Sequence, residues 1–442
     1  MYTALYHAPS LSVATRRGPA CLSPYLSLCL LPALSLAPSL FLLLLFLSIA
    51  LLFILLFLLV STHTHALLVR FLKTPKIHVE NGTVTLSAVI TLTTDLGETF
   101  YPHDIQLAAS LRQSDHGGDI YLRRTLQWLD GSRSLNISLD LTRTEIDWPA
   151  KLHVHTKTNT SMYDCFEDHH SQGHLPGIIS VWSETLNPTK GTFNTDRRVE
   201  RRFTPLTGRT LNIFEDTGES IARHLWDGSL ALTAYLDRVV ALRSVHEAPL
   251  LESVLSSATY KKLNVLELGC GCGVVGIGLA QTVPDCDVLL TDLPEVDELV
   301  ERNIEAANPA MSSNIDFAPL DWEAPLPPKI SSRTFGLILV AECIYNTESI
   351  PLLVSTLERL IQRSPRAVIL ISTKVRHESE SMFWDLFHSK GFQRKSQTSL
   401  PVPGEPGHGY GDSATAVDVY IYQGPRPYNS HSPPSSKAVS PA

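Results

Sequence analysis

Hydrophobic positions recur along this chain with different periods, and each period marks a region. Residues 40–60 read LFLLLLFLSIALLFILLFLLV, with Ser48 the only polar side chain. A run of this length matches the hydrocarbon thickness of a bilayer and exceeds the apolar stretch of a cleavable signal. Two readings stay open: a single-pass transmembrane helix, or a leucine-rich stretch added by a wrongly assigned start. The patternless Leu, Ser, Pro and Ala of residues 1–39 fit the second. Downstream the period falls to two, at Ile77, Val79, Val84, Leu86, Ala88, Ile90 and Leu92, with Asn81-Gly82 as a tight turn. Strand-like runs follow at 134–141 and 151–155, so 67–210 is expected to be a β-rich accessory region.

From Ile221 the pattern turns helical, with Leu225, Trp226, Leu230, Ala231, Ala234 and Tyr235 on a broad apolar face. Strands and helices then alternate. Strands are predicted at 263–268, 288–291, 315–320, 335–340 and 367–372, and helices at 274–283, 295–307, 349–362 and 378–390. Residues 392–399 and 414–422 read as an antiparallel pair across the Pro/Gly-rich loop 401–412. Such alternation is the signature of a parallel sheet with helices on both faces. The expected division is a low-complexity N-terminus at 1–66, the accessory region at 67–210, a catalytic domain at 215–425 and a disordered Pro/Ser-rich tail at 426–442.

The 442 residues are 44% hydrophobic and carry a formal charge of −8. Residues 215–425 hold 28 acidic and 16 basic side chains, a balance of −12, which would repel a phosphate backbone. No nucleic-acid partner is therefore expected. The basic cluster Arg197-Arg198-Val-Glu-Arg201-Arg202 reads as a solvated strand face. His153, His155, His169, His170 and His174, with Cys165 and Asp168, lack the regular short spacings of a zinc site, so no metal is expected. Seven cysteines, an odd number without paired spacing, suggest no disulfide framework. Asn81, Asn136 and Asn159 begin glycosylation sequons that arise by chance in a cytosolic domain. Arg70, Lys73 and Lys76 after the apolar run slightly outweigh Arg16 and Arg17 before it, favouring a cytosolic C-terminal side. The catalytic domain is thus expected in the cytoplasm, membrane-anchored if 40–60 is genuine, and otherwise cytoplasmic or nuclear.

The candidate chemistry starts at Leu263-Asn-Val-Leu-Glu-Leu268, which runs into Gly269-Cys270-Gly271-Cys272-Gly273 and then a helix. Backbone without side chains lets a ligand approach closely, and the helix N-terminus offers unpaired N–H groups. Gly271, Gly273 and Gly276 also satisfy the dinucleotide pattern, so the loop alone does not choose a cofactor. Glu267 at the strand end suits the ammonium of a methionine moiety and would repel a pyrophosphate. Asp292, ending the next strand, can hold ribose hydroxyls. Asp321-Trp322 ends the third, where an indole could lie on adenine or simply pack in the core. Together these favour S-adenosylmethionine over a nicotinamide dinucleotide. Cys270 and Cys272 read as small residues fitting a tight turn.

The set Trp226-Asp-Gly-Ser229, residues 267–273, Thr291-Asp292-Leu293, Leu320-Asp321-Trp322 and Ala341-Glu-Cys-Ile-Tyr345 resembles the eukaryotic seven-β-strand protein-lysine methyltransferases called methyltransferase family 16. The resemblance spans about 200 residues and none of 1–210. It implies an α/β fold with a Rossmann-like seven-stranded S-adenosylmethionine-dependent methyltransferase sheet, acting on a lysine of a protein substrate, as a monomer. It further implies cofactor contacts from Trp226, the turn Gly269-Cys270-Gly271, Asp292, Trp322 and Ala341, to which the reading of the glycine loop and the third strand end adds Gly273 and Asp321. Glu342 and Tyr345 would form the acidic-x-x-Tyr motif beside the accepting amine. Glu stands where the family usually has Asp, which moves the carboxylate by a methylene. Two other roles remain open at this stage: Tyr345 as a packing residue and Glu342 as a helix N-terminal carboxylate. The rival functions are a small-molecule or RNA methyltransferase on the same fold, or a catalytically silent cofactor-binding module.

Overall fold

The computed structural model describes residues 67–114, 118–159, 161–166, 177–218, 220–241, 248–401 and 416–425. The apolar segment 40–60, Asp168, His169, His170, His174, most of the loop 401–412 and the tail from 426 lie outside the described residues. Among the described residues no helix is long and apolar enough to cross a membrane.

The described residues of the first part of the chain form strands, with one short 3-10 turn at Pro188–Lys190: β1 (Leu67–Glu80), β2 (Thr83–Thr93), β3 (Ile105–Gln113), β4 (Ile120–Trp128), β5 (Leu135–Asp140), β6 (Ala150–Thr156), β7 (Asp164–Cys165), β8 (Ile178–Ile179), β9 (Val181–Ser183), β10 (Arg198–Thr204) and β11 (Leu211–Asp216). They form a four-stranded sheet in the order β5-β2-β1-β8 and a larger one in the order β11-β10-β9-β6-β3-β4, with β7 beside β10. Alternation in β2 turns Leu86, Ala88, Ile90 and Leu92 inward. There they share one apolar core with Leu107, Ala109 and Leu111 of β3 and Leu152 of β6. Asn81 and Gly82, both at positive φ, close the β1–β2 hairpin.

The second part alternates: α1 (Asp227–Val240), α2 (Pro249–Ser256), β12 (Leu263–Leu268), α3 (Val274–Thr282), β13 (Cys286–Asp292), α4 (Asp297–Ala306), β14 (Asn314–Pro319), α5 (Pro328–Ser331), β15 (Leu337–Ala341), α6 (Ile350–Arg363), β16 (Val368–Thr373), α7 (Ser381–Ser389), β17 (Gln393–Pro401) and β18 (Ala416–Gln423). The sheet order is β14-β13-β12-β15-β16-β18-β17, parallel up to β16 and antiparallel across β18. Side chains that alternate along each strand split between two cores. Val265, Val288 and Leu339 face α1, α3 and α4, while Leu266, Leu289 and Ile338 face α6 and α7. The order reverses between β12 and β15, the switch point where open α/β sheets bind ligands.

The two parts share a core. Phe203 of β10 and Leu211 and Ile213 of β11 pack into the same apolar cluster as α1 and α3. The expected boundary at 215 falls inside β11, and Asn303 of α4 bonds across it. Its Oδ1 accepts from the Phe214 N–H at 2.7 Å, and its Nδ2 donates to the carbonyls of Phe214 and Cys272.

The basic cluster of β10 is corrected by the structure. Arg201 and Arg202 are fully buried rather than solvated. Arg201 donates to Glu215 Oε1 at 2.7 Å and to the Ser180 carbonyl at 2.8 Å. Arg202 binds both oxygens of Glu200 and lies 3.9 Å from the centre of the Trp182 ring. Strand alternation alone could not reveal this, because β10 is covered on both faces and carboxylates on β10 and β11 supply the counter-charge. His153 stacks on Trp182 at 3.9 Å and on His155 at 4.4 Å. Burial holds both imidazoles below their ordinary pKa, His155 at about 4.

Burial alone would raise the Glu215 carboxyl, but Arg201 and Arg70 outweigh it and hold the group below its ordinary 4.5. Its contribution to stability is therefore complete above that value and lost as acid protonates the folded state. Glu215→Gln leaves Arg201 unpaired and should cost about 3–5 kcal/mol at pH 7. Urea midpoints should show that loss shrinking as the pH falls below 4.5.

Candidate functional site

The site forms at the carboxyl ends of β12, β13, β14 and β15. β12 ends in Leu268, and the chain turns through Gly269, Gly271 and Gly273, each at positive φ, before α3 begins. At Gly269 a Cβ would lie 2.6 Å from Cys343 Sγ, so this position admits nothing larger than glycine. A cavity of about 720 Å³ opens over this turn. Trp226, Gly269, Cys270, Gly271, Asp292, Asp321, Trp322, Ala341, Glu342 and Tyr345 all line it.

Two expected positions do not. Gly273 shapes the turn from below as the left-handed residue that precedes α3. Glu267 is 1% exposed, and its Oε2 accepts the Gly276 N–H of α3 at 2.8 Å. It serves the helix N-terminus from beneath the turn and gives the cavity no carboxylate. Burial pushes its pKa to about 8, although the Gly276 N–H opposes the rise.

Asp292 Oδ2 accepts the Gly271 N–H at 2.7 Å and Oδ1 accepts that of Leu293 at 2.7 Å. The carboxylate thus fixes the turn and faces the cavity. Trp322 lines the cavity with its ring against Gly269, and its carbonyl accepts from Arg359 of α6 at 2.9 Å. Asp321 is exposed at the rim, where Oδ1 accepts the Glu323 N–H. Cys270, Cys272 and Cys343 are buried with their thiols pushed well above the ordinary range, which makes them inert spacers.

Glu342 follows β15 at φ +56, a left-handed backbone that a glutamate holds only under constraint. Its Oε1 accepts the Gly228 N–H at 2.9 Å in the first turn of α1 and lies 3.5 Å from Arg376 Nη2. It is therefore both a helix N-terminal carboxylate, for a helix other than its own, and a wall of the cavity. A Cβ at Gly228 would meet Oε1 at 2.2 Å, so the glycine makes room for the longer acid. Burial raises Glu342 to about 7 although Arg376 opposes the shift. Tyr345 is 54% exposed at the mouth, so its ring is not a packed core residue.

The sequence reading missed the groups behind Glu342. Arg376 and Lys374 follow β16, Asp227 opens α1, and Asp95 comes from the turn after β2, in the accessory region. Arg376 binds Asp95 at 2.7 Å, and Lys374 binds Asp227 at 3.0 Å. A signal existed for the two cations, which lie beyond the carboxyl end of a parallel strand, where such sheets carry function. Asp95 had none. Its neighbours in the sequence belong to a β-turn, and the partner is 281 residues away.

Among the described residues the charged lining is acidic, with Asp292, Glu295, Asp321, Glu323 and Glu342 against the single histidine His224 and no lysine or arginine. Such a lining favours a cationic guest.

The model of the lysine methyltransferase family matches residues 206–390. A UPF0665 family protein of Schizosaccharomyces pombe is 28% identical over 320 residues, which span 71% of this chain and 90% of that protein. Protein-lysine N-methyltransferase EFM6 of Saccharomyces cerevisiae is 31% identical over 188 residues, 40% of this chain and 73% of its own length. EEF1A lysine methyltransferase 3 of Xenopus tropicalis is 27% identical over 203 residues, 46% of this chain and 80% of its own length.

Glu267 generates a test by its buried position. Its carboxyl titrates at about 8 in the folded chain against 4.5 ordinarily. The folded state binds more protons across that window, so wild-type stability should fall as pH rises through it. Glu267→Gln should flatten the fall by about 1 kcal/mol or more between pH 5 and 8, read from urea midpoints of the ligand-free chain.

Proposed function

The chain belongs to the lysine methyltransferase family, and from that premise we propose that it transfers a methyl group from S-adenosylmethionine to a lysine of a protein substrate. The observation that carries this reading is one cavity joining a bare glycine turn, Asp292 and Trp322 to Glu342 on its wall and Tyr345 at its mouth. We further propose 215–425 as the catalytic part and Trp226, Gly269, Cys270, Gly271, Asp292, Asp321, Trp322 and Ala341 as the cofactor contacts. Glu267 and Gly273 would support the turn from outside that contact shell.

The residues fit the cofactor chemically. Positive φ at Gly269 and Gly271 brings backbone to the cavity surface without a Cβ, which allows close approach of a charged amino-acid tail. Asp292 can accept from ribose hydroxyls, and the Trp322 ring offers a flat apolar face to adenine. The five carboxylates of the lining suit a sulfonium and an incoming lysine alike. When bound, S-adenosylmethionine supplies an already activated methyl group.

The chain then has to align the acceptor and free its lone pair. A lysine near pKa 10.4 in water must lose its proton on entry, and a wall of apolar and aromatic groups favours the neutral amine. Both described contacts of Glu342 fall on Oε1, which leaves Oε2 for the acceptor. A carboxylate that titrates at about 7 can accept a hydrogen bond from the amine and hold a proton briefly. Tyr345, half exposed, would wall the entrance and guide the lysine stem.

Titration of the full chain with S-adenosylhomocysteine should quench tryptophan fluorescence, NAD should not, and Trp322→Phe should remove most of the quench. Glu342→Gln should lower kcat about 10²-fold while S-adenosylhomocysteine still binds. Radiolabelled methyl from the cofactor should enter protease-sensitive material of a cell lysate. Label in ribonuclease-sensitive or small-molecule fractions instead would overturn the protein-lysine reading, and label in none would make the cavity a binding module.

A further inference from the structure

The accessory sheets do more than cover the catalytic sheet, because one of their turns reaches the rear of the active cavity. We propose that Asp95 is a positioning residue for methyl transfer: it clamps the Arg376 guanidinium which, together with the Gly228 N–H, fixes Glu342 at the cavity wall. This inference rests on the reading of the cavity as a methyltransferase site.

Asp95 is held rigidly. It follows β2 in a turn closed by Thr94 N–H to Thr99 carbonyl at 3.1 Å and Gly97 N–H to Thr94 carbonyl at 2.9 Å. Arg70 of β1 binds the Asp95 carbonyl at 2.6 Å, and the Leu96 N–H binds Oδ1 at 2.9 Å. The side chain has no exposed surface. Its oxygens receive Arg376 at 2.7 and 3.3 Å, and Oδ2 also receives the Asp227 N–H at 3.3 Å. Arg376 then lies 3.5 Å from Glu342 Oε1. A continuous chain of contacts therefore runs from accessory strand β1 to the cavity wall.

The burial of this cluster argues that it serves more than stability. Asp95, Asp227 and Glu342 contact Lys374 and Arg376, and the buried Arg70, which also serves Glu215, acts on Asp95 and Asp227, so carboxylates and cations form one buried network. A buried ionic cluster often stabilises no more than apolar packing of the same volume. Such arrangements concentrate where a group must titrate near its working pH. The charged groups facing Glu342 come from different elements: Arg376 and Lys374 after β16, Asp227 on α1, and Asp95 after β2. Asp95 acts on Glu342 in two ways. Its own charge raises the Glu342 pKa, and by holding Arg376 it sets the distance of the cation that lowers it. Burial, Arg376 and Asp95 in concert leave Glu342 at about 7, where it can exchange a proton with an amine.

The test uses the full chain and two probes, S-adenosylhomocysteine and sinefungin, the cofactor analogue with an amine in place of the sulfonium methyl. The analogue's amine remains cationic below about pH 9, so ionised Glu342 should favour sinefungin and protonated Glu342 should not. In the wild type the affinity ratio of the two probes should rise with pH around a midpoint near 7. In Asp95→Asn the midpoint should fall by about one pH unit, S-adenosylhomocysteine affinity should persist, and kcat on labelled lysate protein should drop about ten-fold or more. If Asp95→Asn does not fold, Arg376→Lys takes its place, with the midpoint again displaced from the wild-type value. A midpoint unmoved in a folded variant would overturn the proposal. Loss of S-adenosylhomocysteine binding in both variants would also overturn it, since the pair would then be structural. A wild type that binds neither probe would sink the methyltransferase reading itself, which separates that failure from failure of the role given to Asp95.

Discussion

Charge taken out of water has to be answered by other charge from the protein, and that constraint joins the accessory sheets to the catalytic sheet. Arg201 of β10 is buried against Glu215 of β11, and the second oxygen of Glu215 accepts the Leu225 N–H just before α1. One carboxylate thus ties the strand sheet to the segment that leads into the cavity. Asp95 does the same from another direction through Arg376. An unpaired ion at either place would cost several kcal/mol, so the relative placement of the two parts is fixed by pairing as well as by the apolar core they share. The cavity inherits that rigidity. Trp226, which precedes α1, and Glu342, which caps it, are set by the same seam.

The catalytic sheet could be read from the sequence because its signals are local. Buried parallel strands appear as short apolar runs, and the glycines after Leu268 mark a turn that only glycine fits. Strand ends differ from the expected ones by a residue or two, as at β13, which runs Cys286–Asp292 rather than 288–291. The helix expected from 295 begins as a short 3-10 turn at Pro294–Val296 before α4. The cavity wall was equally legible wherever a motif residue ends a strand, as Asp292 and Ala341 do.

What escaped the sequence depends on long-range pairing. Arg201 resembles part of a solvated basic patch until Glu215 of β11 folds over it. Glu267 has the right position for a cofactor contact, but a side chain at a strand end can point to either side of the sheet. Here it points toward α3, where the Gly276 N–H needs an acceptor. Asp95 lies in an ordinary turn, and only the fold brings it to Arg376. In each case the deciding fact is which charge or donor lies opposite, and spacing along the chain does not encode that.

The glutamate at 342 now has a physical reason. An aspartate there would be a methylene short of the α1 N-terminus, where the Gly228 N–H and the helix dipole favour a carboxylate. Gly228 has no side chain to block the longer acid. The two residues therefore form a matched pair, one extended and one bare, each strained or empty without the other. Left-handed backbone at Glu342 turns its side chain back toward α1, and the N–H of Glu342 bonds to the Ser372 carbonyl on β16. Arg376, four residues beyond Ser372 on the same segment, reaches Oε1 of that carboxylate. A carboxylate anchored through one oxygen by a helix and a guanidinium has little freedom to rotate. Under the proposed reaction its other oxygen would present a fixed acceptor to the amine, as alignment of a lone pair with an activated methyl group requires.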